Sequence, residues 1–158
     1  MAGMDYSWRH AYASAIGTSH ISVDTECQDS SLCTVLGSFN GEQILLGVVS
    51  DGAGSAIYSQ IGSAKACEYF VSEVTSHINS GKTVDEIDLA FIKQWLKSFQ
   101  EIISEVASAA NHQMRDYACT FLAVVASSHH TVFCQVGDGA IVVSTGNGVE
   151  EYDVIFWP

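Results

Sequence analysis

Leu45-Leu46-Gly47-Val48-Val49-Ser50-Asp51-Gly52-Ala53-Gly54-Ser55 is the stretch on which the reading of this chain turns. An apolar strand runs directly into an Asp-Gly turn with further small residues, and a helix-like segment follows. A carboxylate is thereby set at a strand end, beside backbone that a metal ion or phosphate can approach closely. A second Asp-Gly, in Val136-Gly137-Asp138-Gly139, closes another apolar strand. Two carboxylates presented from neighbouring strand ends make a hard-cation site.

Around these turns the chain reads as strands, two helices and strands again. Strands are expected over 11–16, 32–36 and 43–50, the last two joined by the hairpin signal Phe39-Asn40-Gly41-Glu42. Ala66, Tyr69, Phe70, Val74 and Ile78 trace an apolar face of a helix over 63–78, which Asn79-Ser80-Gly81 ends. Ile87, Phe91, Trp95, Phe99, Ile102, Ile103 and Val106 predict a second helix over 84–111. That aromatic stripe reads as core. Strands over 120–126 and 131–136 flank the polar turn Ser127-Ser128-His129-His130, read as solvated. Strands over 140–144 and 152–157 then flank the turn Thr145-Gly146-Asn147-Gly148. Strands joined by short hairpins around two helices predict an α+β fold, with helices packed on mostly antiparallel sheet.

The composition sets limits. The 158 residues suit a single domain (1–158), and an apolar fraction of 47% argues for a folded core rather than a disordered chain. A net charge of −12 opposes nucleic acid and anionic membranes as partners. No apolar run is long enough to span a bilayer, and the first ten residues lack the pattern of a signal peptide. Five cysteines, Cys27, Cys33, Cys67, Cys119 and Cys134, form no Cys-x-x-Cys pair. They fit reduced core thiols in a cytoplasmic protein better than zinc ligands or disulfides. Gly52-Ala53-Gly54 is no dinucleotide fingerprint, since Ile57 stands where the third glycine belongs. No Gly-x-Ser-x-Gly elbow supports serine hydrolase chemistry.

Three aspartates sit beside turns: Asp29, Asp51 and Asp138. Mg²⁺ or Mn²⁺ prefers such oxygen ligands, and a pair of these ions can polarise a phosphoryl oxygen and activate water. Gln28-Asp29, Val48-Val49-Ser50-Asp51-Gly52-Ala53-Gly54-Ser55, Cys119-Thr120-Phe121-Leu122 and Gln135-Val136-Gly137-Asp138-Gly139 occur in a familiar order. In that order the sequence resembles the PPM-type protein phosphatases, the metal-dependent type 2C serine/threonine phosphatases. The loop Gly17-Thr18-Ser19-His20 is most similar to a divergent bacterial branch. The likeness covers about residues 14–144.

The resemblance implies a β-sandwich flanked by helices, and a hydrolase that removes phosphate from phosphoserine or phosphothreonine by attack of a metal-bridging hydroxide. It implies two or more Mn²⁺ or Mg²⁺ ions and a phosphorylated protein as substrate. Asp51 resembles the aspartate bridging two metals, with the Gly52 carbonyl beside it. Asp29 resembles an acidic position near the metal waters, and Asp138 an aspartate of an additional metal. Thr120 matches a motif threonine of structural character. Catalytic candidates are therefore Asp51, Asp29 and His20, and metal candidates Asp51, Gly52, Asp138 and Asp29.

The sequence also departs from the family pattern. Ser55 replaces a glycine, and Asp24 stands where the phosphate-binding arginine is expected, leaving His20 or Arg9 as the phosphate contact. The family's later metal-binding aspartates have no counterpart after Asp138, and strand-like Asp153 lacks the accompanying glycine. The apolar run Val154-Ile155-Phe156-Trp157-Pro158 reads as the N-terminal portion of a phosphatase domain, with an uncovered strand favouring self-association. Two classes of function follow: a metal-dependent phosphatase, or a catalytically silent PPM-like binding or regulatory module.

Overall fold

Alternation along residues 43–50 decides which way the central strand faces. Ile44, Leu46 and Val48 are buried, while Leu45, Gly47 and Val49 face the other way. The computed structural model describes residues 7–18, 21, 26–38, 40–146 and 151–156. Within them β1 (Ser30–Gly37), β2 (Gln43–Ser50), β3 (Phe121–Ala126) and β4 (Thr131–Val136) form one antiparallel sheet in the order β1-β2-β3-β4. The Asn-Gly hairpin joins β1 to β2: Gly41 takes φ +81°, and the Asn40 side chain accepts from the Glu42 amide at 3.1 Å. A separate antiparallel ribbon pairs β5 (Val142–Ser144) with β6 (Tyr152–Val154).

Two helices connect β2 to β3. Helix α1 (Ser59–Asn79) buries Ala66, Cys67, Phe70, Val74 and Ile78 against β1 and β2. Helix α2 (Leu89–Ala110) adds Trp95 to the same core, with Phe91 and Phe99 packed at its edge. Phe70, Trp95 and Phe121 form the centre of this layer, with Phe70 edge-on to Trp95 at a centroid separation of 5.0 Å. The aromatic stripe is thus core, and the α+β architecture with antiparallel sheet and flanking helices agrees with the sequence reading.

Several boundaries differ for identifiable reasons. Helix α1 begins at Ser59 rather than 63, because Ser59, Gly62 and Ser63 bury its first turn without any apolar side chain. The second helical segment is two pieces. A 3₁₀ turn over Val84–Glu86 is held by reciprocal Thr83–Glu86 capping, and Asp88 then caps α2 by accepting from the Ala90 and Phe91 amides at 2.9 Å each. Residues 11–16 form no strand. The Ser14 and Ser31 hydroxyls share a hydrogen bond of 2.9 Å, and Trp8 Nε1 donates to the Gln43 carbonyl at 3.0 Å, so side chains rather than a backbone ladder tie this segment down. Of the strand expected over 152–157, Tyr152–Val154 is strand, residues 155 and 156 are not, and 157 lies outside the described residues. The turn expected at 145–148 lies partly outside the described residues.

Candidate functional site

Register brings the candidate residues to one end of the sheet. Ser30 pairs with Ser50, Val49 with Leu122, and Phe121 with Val136. The start of β1, the end of β2, the start of β3 and the end of β4 therefore share one edge. Asp29, Asp51, Thr120 and the Gly137-Asp138-Gly139 turn each lie just beyond those strand ends. All three aspartates line a single open cleft of about 320 Å³, together with Ser14, Ser30, Ser31, Ser50 and Thr120.

Each aspartate is held by neighbours the strands supply. The Asp51 amide donates to Thr120 Oγ1 at 3.0 Å, and the Thr120 amide donates back to the Asp51 carbonyl at 2.8 Å. Ser50 Oγ donates to the Thr120 carbonyl at 2.5 Å. Gly52 is buried in an isolated bridge with Cys119. A side chain there would put its Cβ 2.5 Å from the Gln28 carbonyl oxygen and 2.8 Å from Ser59. Only glycine lets the Gln28-Asp29 segment approach so closely, and the Ser63 hydroxyl of α1 donates to that same Gln28 oxygen at 2.6 Å. Asp138 stands between Gly137 at φ +86° and Gly139 at φ +121°, and Gln135 Nε2 donates to the Gly137 carbonyl at 3.1 Å.

The electrostatic character of the cleft follows from its lining. Three aspartates line it, and among the described lining residues there is no Lys, Arg or His. A phosphate ester would meet net repulsion there unless a cation stood between. The donors are hard oxygens, which suits Mg²⁺ or Mn²⁺ and not a thiolate-loving metal. Among the described residues, however, no three His, Cys, Asp or Glu side chains close on one point. The residues thus fit a water-rich hard-cation site with one or two carboxylate ligands, the usual habit of Mg²⁺. They do not form a closed protein cage.

The placement of the expected residues is uneven. Asp29, Asp51 and Asp138 are brought together, with Gly52 adjoining. His20 and Asp24 lie outside the described residues. Arg9 is exposed on the N-terminal segment and does not line the cleft. His129 and His130 sit exposed at the opposite end of the sheet. Burial pushes the Cys67 thiol up to about 11 and raises those of Cys119 and Cys134, which holds them as inert thiols. Sequence reasoning missed Ser50 and Ser63. Ser63 had a usable signal: a hydroxyl on the buried stripe of α1, three residues before Ala66 and seven before Phe70, needs a partner.

Comparison with known proteins gives four matches. Residues 16–158 match the family described as protein phosphatase 2C. The chain is 37% identical over 145 residues to serine/threonine-protein phosphatase 3 of Escherichia coli K12, a match that takes in 91% of this chain and 56% of that protein. It thus spans little more than half the length of that relative. Among solved structures, serine/threonine phosphatase Stp1 from Staphylococcus aureus matches 96% of this chain and 57% of its own, at 15% identity and a TM-score of 0.46. A serine/threonine phosphatase of S. agalactiae matches 82% and 48%, at 21% identity and a TM-score of 0.39.

Proposed function

The chain belongs to the protein phosphatase 2C family, and from that premise we propose that it serves the hydrolysis of phosphoserine and phosphothreonine in protein substrates, with Mn²⁺ or Mg²⁺ held at the Asp51 cleft. The observation that carries this reading is the meeting of Asp29, Asp51 and Asp138 on one cleft whose described lining has no cationic side chain. Asp51 and Asp138 would hold the ions, with the Gly52 carbonyl as a further oxygen and Asp29 acting on their water shell. Bound there, such ions supply Lewis acidity toward the phosphoryl oxygens and lower the pKa of water.

The protein's own residues have three tasks. Asp51 contributes charge from a backbone fixed on both its amide and carbonyl sides, so its carboxylate needs little reorganisation when substrate arrives. The carboxylates repel a bare phosphate dianion, which makes productive binding depend on the cation. The cleft is open, which suits a phosphorylated side chain presented on a protein surface rather than a small molecule enclosed on all sides.

Hydrolysis of p-nitrophenyl phosphate and of a phosphothreonine peptide, with and without Mn²⁺, tests the proposal beside Asp51→Asn. Turnover that requires Mn²⁺ and disappears in Asp51→Asn is the expected result. Metal-independent turnover, or full activity in Asp51→Asn, would overturn it.

A further inference from the structure

We propose that Thr120 is a positioning residue that fixes the Asp51 and Asp138 turns relative to one another, an inference that rests on the metal-site reading above. Two faces of this one side chain meet the two turns. Its Oγ1 accepts from the Asp51 amide at 3.0 Å, while its own amide donates to the Asp51 carbonyl at 2.8 Å. Both peptide groups of Asp51 are therefore pinned, and the base of its carboxylate cannot swing about the strand end. On the other face, Thr120 fills the space a side chain at Gly137 would need. A Cβ on Gly137 would lie 3.1 Å from Thr120 Cγ2 and 3.3 Å from Thr120 Cβ.

Threonine suits both contacts at once. A β-branched side chain is stiff about χ1, so the hydroxyl and methyl keep a fixed angle to each other. The hydroxyl registers the Asp51 turn and the methyl registers Gly137, next to Asp138. The Ser50 hydroxyl, donating to the Thr120 carbonyl at 2.5 Å, holds the following peptide as well. Thr120 itself lines the cleft between the two aspartates. It needs to touch no reacting atom to set the geometry in which cations are bound.

The test is Mn²⁺ titrated calorimetrically into the full 158-residue chain and into Thr120→Val, Thr120→Ala and Thr120→Ser, with metal-free melting curves for each. Thr120→Val keeps the shape and the methyl contact but loses the acceptor, and Thr120→Ala serves if the valine variant fails to fold. Both should bind Mn²⁺ about tenfold more weakly or worse, the usual cost of losing a support behind a metal ligand. Thr120→Ser keeps the acceptor and should fall between them and wild type. A purely structural threonine would lower the metal-free melting temperature and leave Mn²⁺ affinity within about twofold, which would overturn the inference. Serine indistinguishable from wild type would remove the Gly137 half of it. No Mn²⁺ binding by the wild-type chain would instead defeat the metal reading on which it stands.

Discussion

The Ser63 hydroxyl, on the first turns of α1, donates to the Gln28 carbonyl oxygen at 2.6 Å across 35 residues of chain. Gln28 precedes Asp29, so this bond anchors the backbone that carries one of the cleft carboxylates. Ser63→Ala leaves a buried carbonyl without its donor. The expected loss is about 1–3 kcal/mol of stability, read from urea denaturation. A variant as stable as wild type would show that water replaces the hydroxyl.

Gly62 faces the Tyr117 carbonyl so closely that a Cβ would lie 2.0 Å from its oxygen. The obstruction is backbone and cannot rotate away. Gly62→Ala should cost at least about 3 kcal/mol or prevent folding, as overpacking against a fixed group does. Gly54→Ala meets nothing within 4 Å and should stay within about 0.5 kcal/mol of wild type. Melting temperatures of the two variants check the contrast.

Glu42 ties the far ends of the two hairpins together. Its carboxylate accepts from the Ser128 hydroxyl and the Ser128 amide, and these bonds hold its pKa below the ordinary glutamate value. The native carboxylate binds its proton less tightly than the unfolded one. Its stabilising effect is therefore complete above about pH 4.3 and disappears as acid drives the pH through the lower native value. Wild type should out-melt Glu42→Gln at pH 7, and the gap should narrow as the pH falls below the ordinary glutamate value. A gap independent of pH would contradict this.

The portions of the fold that were legible in the sequence are those where local pattern and tertiary burial coincide. Val48 and Leu46 alternate with outward residues up to Asp51, so a strand ending in a turn was visible. Asn40-Gly41 marked a hairpin, and the Trp95 stripe marked α2. The start of α1 was hidden because Ser59, Gly62 and Ser63 are buried without being apolar. The break before α2 was hidden because Thr83, Glu86 and Asp88 act through caps within an otherwise continuous apolar period. In the cleft, Asp29, Asp51 and Asp138 could be named from their turns. Thr120 could be named as a structural threonine but not its partners, and the roles of Ser50 and Ser63 could not, because those partners are fixed by sheet register and helix docking rather than by neighbours in the chain.

The acceptor of the Asp51 amide stands 69 residues further along the chain. A ribosome adding about 5–20 residues per second needs several seconds to cover that interval. During synthesis the nascent polypeptide thus carries Asp51 well before Thr120 exists to hold it. The cleft is then assembled only once β3, β4 and the Asp138 turn have all been made. Until then the growing chain carries Asp51 without the partner that fixes its peptide groups.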